Sequence, residues 1–156
     1  MATEIERKFL VRSDAWRTQV RDSTEYRQGY FAGMERCSVR VRVGPQGAFL
    51  NIKGATLGVE RHEYEYPIPK TDAEELLAQF CVRPMISKVR HRVPYAGHLW
   101  EIDVFQGDNA GLVVAEIELG AADEAFERPE WLGEEVSNDP RYYNVCLVSH
   151  PYKDWS

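Results

Sequence analysis

The strongest constraint in this chain is a period-2 alternation in which charged residues, and not only apolar ones, fall into rows. Thr3 to Val11, Cys37 to Val43, Ala48 to Lys53, Val59 to Ile68, Pro84 to Val93, Leu99 to Phe105 and Leu112 to Leu119 all alternate. That is the pattern of strands with two different faces. Thr24 to Ala32 is rich in aromatics and reads as a further strand. The stretch Gly44-Pro45-Gln46-Gly47 joins two strands as a hairpin, and Tyr95 to His98 joins two more. Helices are the minority. Thr71-Asp72 reads as the cap of a helix over Ala73 to Phe80, with acids near its positive end. Ser13-Asp14 caps a short turn through Val20, and Arg141 to Ser149 suits a late helix in a tail that is irregular from Pro129 onward. The expected class is mostly β (α+β): about eight strands in mostly sequential order, an antiparallel meander that is open or closed into a barrel. No repeat, low-complexity tract or linker divides the chain, so residues 1–156 read as a single domain.

Residues i and i+2 of a strand share a face, about 6.6 Å apart. The same-face charges are Glu4, Glu6 and Lys8; Arg40 and Arg42; Arg61, Glu63 and Glu65; Lys88, Arg90 and Arg92; Glu101 and Asp103; and Glu116 and Glu118, with Lys53 ending a hairpin arm. A solvated antiparallel face gains from mixed-sign pairs across strands, whereas sorted like-charge rows repel one another. Such rows make sense with something between them. Basic rows need an anion and acidic rows need cations. Arginine and lysine suit phosphate oxygens, and carboxylates with phosphate oxygens suit Mg²⁺ or Mn²⁺. A barrel enclosing that face would strengthen each interaction by excluding water. It would be costly without internal pairing or a ligand, and acidic and basic rows in one cavity supply the pairing.

The overall balance of 19 Lys+Arg against 25 Asp+Glu gives a net charge of -6. This argues against a general nucleic-acid or membrane-surface binder. The row positions hold as many acids as bases, so the negative excess belongs to the rest of the chain, much of it between Asp123 and Asp139. No apolar run approaches the roughly 20 residues of a membrane span. The start, Met1 to Lys8, is charged at once, unlike a secretory signal. Cys37, Cys81 and Cys146 are odd in number and far apart, matching neither a disulfide framework nor a CxxC metal site. A cytoplasmic setting is the expectation. No GxxxxGK[ST] string is present, so a Walker-type phosphate loop is excluded. His62 and His91 fall opposite the charged rows, and His98 and His150 lie in a turn and the tail, which suits packing roles.

The segment Glu4-Ile5-Glu6-Arg7-Lys8 resembles the ExExK signature of the CYTH, or triphosphate tunnel metalloenzyme, superfamily. The downstream order is similar as well: Arg40-Val41-Arg42, Lys53 after a hairpin, Glu63-Tyr64-Glu65, Lys88-Val89-Arg90, Glu101-Ile102-Asp103 and Glu116-Ile117-Glu118. The resemblance spans Ala2 to about His150, and the length is similar to that of the compact bacterial members, which act as inorganic triphosphatases. It implies an eight-stranded antiparallel β-barrel tunnel with a few helices packed outside. It implies metal-dependent hydrolysis of tripolyphosphate to diphosphate and phosphate with Mg²⁺ or Mn²⁺. By the same resemblance, Lys8, Arg40, Arg42, Lys53, Lys88 and Arg90 are phosphate-binding, and Glu4, Glu6, Glu116, Glu118 and Asp103 are metal-binding. Glu63 and Glu65 orient a water, and Tyr30 stands beside Lys8. Members of the superfamily often close one tunnel mouth with a basic residue on a late helix, and Arg141 is the basic candidate for that place.

Thiamine triphosphatase, ATP or other nucleoside triphosphatase and class IV adenylate cyclase share the tunnel and remain as alternatives. They differ in whether an organic group is held at its mouth, for which Tyr26, Tyr30, Phe31, Trp100 and Phe105 are the aromatic candidates. A non-catalytic polyphosphate or nucleotide sensor is the alternative from another class. The expected partner is a small-molecule triphosphate, with no nucleic acid and no membrane. Oligomeric state stays open, since outer valine and isoleucine faces would favour a homodimer unless helices cover them.

Overall fold

The computed structural model of the protein describes residues 2–31, 35–55 and 59–155. Nine strands form one antiparallel sheet: β1 (Ala2–Val11), β2 (Asp22–Tyr30), β3 (Cys37–Gly44), β4 (Gly47–Gly54), β5 (Glu60–Ile68), β6 (Ile86–Tyr95), β7 (His98–Phe105), β8 (Val113–Glu118) and β9 (Leu132–Glu135). Their spatial order is β5-β4-β3-β2-β6-β7-β8-β1-β9, and β5 also pairs with β1. That pairing closes β1 to β8 into an eight-stranded barrel and leaves β9 outside, on β1. The order departs from a simple meander. β2 lies between β3 and β6, and β1 lies between β5 and β8. Ala32, at the end of the second expected strand, lies outside the described residues.

Alternation sends the charged rows into the barrel and the apolar rows out, the reverse of a small filled barrel. The apolar core is therefore outside the sheet. Phe9, Trp100, Ile102, Ala115 and Ile117 on β1, β7 and β8 are covered by Trp16, Trp131 and Leu132. Trp16 sits on a 3-10 turn over Ala15–Gln19, close to the short turn expected there. On the opposite flank, Val41, Val43 and Ala48 of β3 and β4 are covered by Ala73 and Leu77 of helix α1 (Lys70–Gln79). The helix starts earlier than Thr71-Asp72 suggests: Pro69 is its N-cap, and no side chain caps it. Proline fixes the turn into the helix by its φ, so a hydroxyl or carboxylate cap is not required.

The inward rows change character toward one end of the barrel. After Glu4, Glu6 and Lys8 comes Leu10; after Glu118 and Glu116, reading β8 backward, comes Val114. Phe105 follows Asp103, and Ile86 precedes Lys88. The register brings these apolar positions to the same end. Helix α2 (Asn144–Ser149) packs Leu147 and Val148 on them, together with Val136 and Tyr142. So α2 caps one barrel end, as a late helix closing one tunnel mouth would, while α1 packs outside. The tail is also more ordered than its composition suggests, since Leu132–Glu135 pairs with β1.

β2 lies tight against α1 and the residues just after it at Gly29, where an added Cβ would stand 2.9 Å from both Leu77 Cδ2 and Cys81 Cβ. A Gly29→Val substitution should destabilise the protein by about 1–3 kcal/mol through overpacking. Urea unfolding at unchanged m-value checks this, and an unaltered midpoint would show that the α1 contact is slack.

Candidate active site inside the barrel

The charged rows meet around a cavity of about 360 Å³. β1 contributes Glu4, Glu6 and Lys8; β3 contributes Arg40 and Arg42; β5 contributes Arg61, Glu63 and Glu65. Lys53, Lys88, Arg90, Glu101, Glu116 and Glu118 complete the charged wall, with Tyr30 beside them. Strand register explains the grouping. Glu6 stands opposite Glu118 and Lys8 opposite Glu116 across β1 and β8. Lys53 stands opposite Glu63 across β4 and β5. Ser38 also lines the cavity. It shares a face with Arg40 and Arg42, so its placement was readable from parity. Tyr143, Asn144 and Val145 line it from the α2 end, where no alternation marked them.

Ion pairs hold the wall together. Lys53 Nζ lies 3.2 Å from Glu4 and 3.3 Å from Glu63. Lys8 Nζ lies 3.4 Å from Glu116, and Arg90 lies 3.6 Å from the same carboxylate. Two sectors remain unbalanced. Arg42 is pulled below its ordinary value by burial and by the neighbouring Arg40 and Arg90. The buried Nε atoms of Arg40 and Arg42 have no hydrogen-bond partner among the described residues. Facing them across the barrel, burial and the adjacent Glu116 push Glu6 up to about 8. Burial, Glu4 and Glu101 raise Glu118. Glu116 itself is held well below the carboxylate range, because Lys8 and Arg90 outweigh its burial. One sector thus holds excess positive charge with free donors, and the other holds two carboxyls, Glu6 and Glu118, whose charged forms are disfavoured.

Two sequence-based assignments are corrected by this geometry. Asp103 shares parity with Glu101 but is fully buried and does not line the cavity. Arg90 binds it through two parallel N–H···O contacts at 2.8 and 2.9 Å, and Lys88 Nζ lies 2.9 Å from it. Burial would raise this carboxyl, but Arg90 and Lys88 outweigh that and keep it below its usual value. It is the counter-ion behind two cavity cations, with both oxygens engaged, and not a metal ligand in the wall. Arg141 lies outside the tunnel. Its guanidinium pairs with Asp139 at 2.7 Å and packs over Tyr142 and Trp155. Asn144 occupies the place at the cavity end that a late basic residue was expected to take. Arg92 is tied to Asp22, Thr24 and Tyr26 and is not in the cavity wall, whereas Arg61 is.

A closed antiparallel barrel whose interior is lined by sorted charges is a tunnel protein for a small polyanion. The chain belongs to the CYTH domain family, whose pattern matches residues 2–146. It is 45% identical over 155 residues to the inorganic triphosphatase of Acetivibrio thermocellus, covering 99% of each chain. It is 37% identical over 152 residues to the inorganic triphosphatase of Nitrosomonas europaea, covering 94% of this chain and 97% of that one. A crystal structure of an inorganic triphosphatase superposes with a TM-score of 0.66 at 34% identity, covering 95% of each chain.

The family implies a divalent metal, and the donor set fits one. Among the described residues no three His, Cys, Asp or Glu side chains already stand as a ready-made metal site. Lys53 and Lys8 pair with Glu4 and Glu116. Glu4, Glu6, Glu116 and Glu118 nonetheless offer only oxygen donors, the set a hard cation prefers. Burial and the neighbouring Glu116 disfavour the charged form of Glu6, and a cation held among these carboxylates would oppose both effects. Among the described residues, no helix is long and apolar enough to cross a membrane.

Removing Asp103 would leave Lys88 and Arg90 without their shared counter-ion. Asp103→Ala should destabilise the free protein by about 3–5 kcal/mol, and tripolyphosphate should restore part of the loss. Thermal unfolding with and without the polyanion checks both. A variant of normal stability that had lost only metal affinity would return Asp103 to the metal-ligand role.

Proposed function

We propose that this protein hydrolyses inorganic triphosphate to diphosphate and phosphate inside the barrel, with Mg²⁺ or Mn²⁺ as cofactor. The observation that carries the reading is the opposition of two unbalanced sectors across one small cavity: Arg40 and Arg42, whose buried Nε donors are free, and Glu6 and Glu118, whose charged forms are disfavoured. The identity to two inorganic triphosphatases over nearly the whole chain supports it. Lys8, Arg40, Arg42, Lys53, Lys88 and Arg90 bind the phosphoryl oxygens and offset their charge, fixing the chain of phosphates in line. Glu63 and Glu65 orient the attacking water from β5. Glu65 is itself steadied by Asn51, whose Nδ2 donates to it at 2.7 Å. Lys8 and Tyr30 stand at the α2 end, where donors can stabilise charge on the phosphoryl group they touch. Bound by Glu4, Glu6, Glu116 and Glu118, the divalent ion would supply Lewis-acid stabilisation of phosphoryl oxygens. No covalent nucleophile is needed, because positioning and electrostatics carry phosphoryl transfer.

The inorganic substrate is favoured over organic ones by where the aromatics lie. Trp100 and Phe105 are buried in apolar clusters, and Phe31 packs against the α1 cluster. Tyr26 is engaged with Arg42 and Arg92. Among the described residues, Tyr30 and Tyr143 are the aromatic side chains in the cavity wall, and both stand at the capped α2 end, away from the mouth where an organic group would be held.

Phosphate released from tripolyphosphate, ATP and thiamine triphosphate, measured side by side with Mg²⁺ and Mn²⁺, tests the reading. Tripolyphosphate should turn over fastest. Preference for an organic triphosphate, cyclic AMP formed from ATP, or binding without turnover would each overturn it. In the same assay Glu118→Gln should reduce turnover at least about 100-fold with the fold intact, since the substitution removes an anionic ligand from the metal set. Arg42→Ala should raise KM for tripolyphosphate more than it raises the inhibition constant of diphosphate, because a loss of about 1.5–3 kcal/mol per charged hydrogen bond falls on the longer anion.

A further inference from the structure

At the capped end of the barrel, Asn144 lines the cavity beside Tyr143 and Val145 and uses only half of its hydrogen-bonding capacity. Its Oδ1 accepts from Lys88 Nζ at 3.1 Å and from Gln28 Nε2 at 2.9 Å. A lysine ammonium donates and never accepts. The Asn144 atom that faces it must therefore be the oxygen, which fixes which way the amide points. Gln28 is fully buried and also donates to the Tyr30 hydroxyl at 3.3 Å, so its own position is fixed as well. The Asn144 Nδ2 then points away from both partners. It makes no hydrogen bond among the described residues, although the side chain borders a cavity whose wall is otherwise charged. Lys88 is in the same condition. Asp103 and Asn144 take two of its three N–H groups, and one is left for the cavity it lines.

We propose that Asn144 is a substrate-binding residue. Its Nδ2 donates to an oxygen of the phosphoryl group at the α2 end of a bound triphosphate, while its Oδ1 holds Lys88 against the same group. The inference rests on the triphosphatase reading above. It carries a consequence for orientation. Tyr143, Val145 and the apolar cluster under α2 fill the space behind Asn144, so this end accepts a bare terminal phosphoryl group. A substituent on the other end of the polyanion must lie toward Glu65 and Glu101, away from the cap.

The test separates the donor from the acceptor. Asn144→Asp keeps an acceptor for Lys88 and Gln28 but replaces the two cavity donors with a carboxylate oxygen. Asn144→Ala removes both functions. For tripolyphosphate the expected KM order is wild type, then Asn144→Ala about ten-fold higher, then Asn144→Asp higher still, a neutral donor to a charged acceptor being worth roughly a factor of ten or more. Thermal unfolding of Asn144→Asp should match wild type, and Asn144→Ala, which leaves the buried Gln28 amide and Lys88 one acceptor short, should unfold somewhat below it while remaining folded at the assay temperature. Asn144→Asp with a KM within about two-fold of wild type, or below that of Asn144→Ala, would overturn the donor role. If the aspartate variant does not fold, the alanine variant decides, since an unchanged KM there is equally fatal. Wild-type protein that releases no phosphate from tripolyphosphate would instead overturn the underlying triphosphatase reading.

Discussion

Asp103 is the charge on which the interior depends. It lies between Arg90 and Lys88, fully buried, with both oxygens bonded. Two adjacent cations on one strand, with Arg40 and Arg42 nearby, would repel each other and lose their hydration. A carboxylate 2.9 Å from Lys88 and 2.8 Å from Arg90 opposes both terms: it and its neighbours hold Arg90 well above its ordinary value, whereas burial still pulls Lys88 down to about 7. Asp103 also fixes the direction of Lys88 and Arg90. With its oxygens below them, the remaining N–H groups face the cavity. The pairing that makes the buried cations tolerable thus aims them at a ligand.

Burying charge inside the barrel forces the rest of the architecture. The interior cannot supply hydrophobic stabilisation, so the apolar surface is buried elsewhere. Trp16, Trp100 and Trp131 lie outside the sheet, and α1 covers the outer face of β3 and β4. β9 extends the sheet beyond the closed barrel on β1. At the α2 end the interior turns apolar, where Leu10, Ile86, Phe105 and Val114 meet Leu147 and Val148. The tail from Pro129 onward is therefore structural in two places at once: it covers the outer tryptophans and it caps the barrel. The second duty brings Tyr143 and Asn144 to the cavity wall.

This division of labour explains what could be read from the sequence. Period-2 parity located the inward rows on every charged strand, because it requires only that the strand be regular. Parity says which way a side chain points and not how deep it sits. Glu101 and Asp103 share a row, yet Glu101 pairs across β8 with Glu116, whereas Asp103 pairs with Val114. The next inward position is Phe105, so Asp103 stands where the charged interior gives way to the cap. The switch from charge to Leu10, Val114, Phe105 and Ile86 was present in the sequence, but only the register shows that these positions coincide. Arg141 and Asn144 were beyond parity altogether. They lie in a 3-10 turn and a short helix, where direction is set by packing of Tyr142 and Leu147 and not by strand alternation.

The unbalanced sectors also explain why anion and cation belong in one cavity. In the free protein, burial and neighbouring guanidinium groups pull Arg42 down, while burial and Glu116 push Glu6 up. Each shift records a charge that its surroundings disfavour. An anion against Arg40, Arg42 and Arg90 relieves the first, and positive charge among Glu4, Glu6, Glu116 and Glu118 relieves the second. Filling only one sector would leave the cavity with a net charge in a space shielded from water, where that charge is costly. Filling both brings the added charge closer to zero than the anion alone would. A polyanion accompanied by a divalent cation meets that requirement within one enclosed volume. The sorting of charge by strand, which repels within each row, is then the arrangement that gives each guest its own side of the barrel.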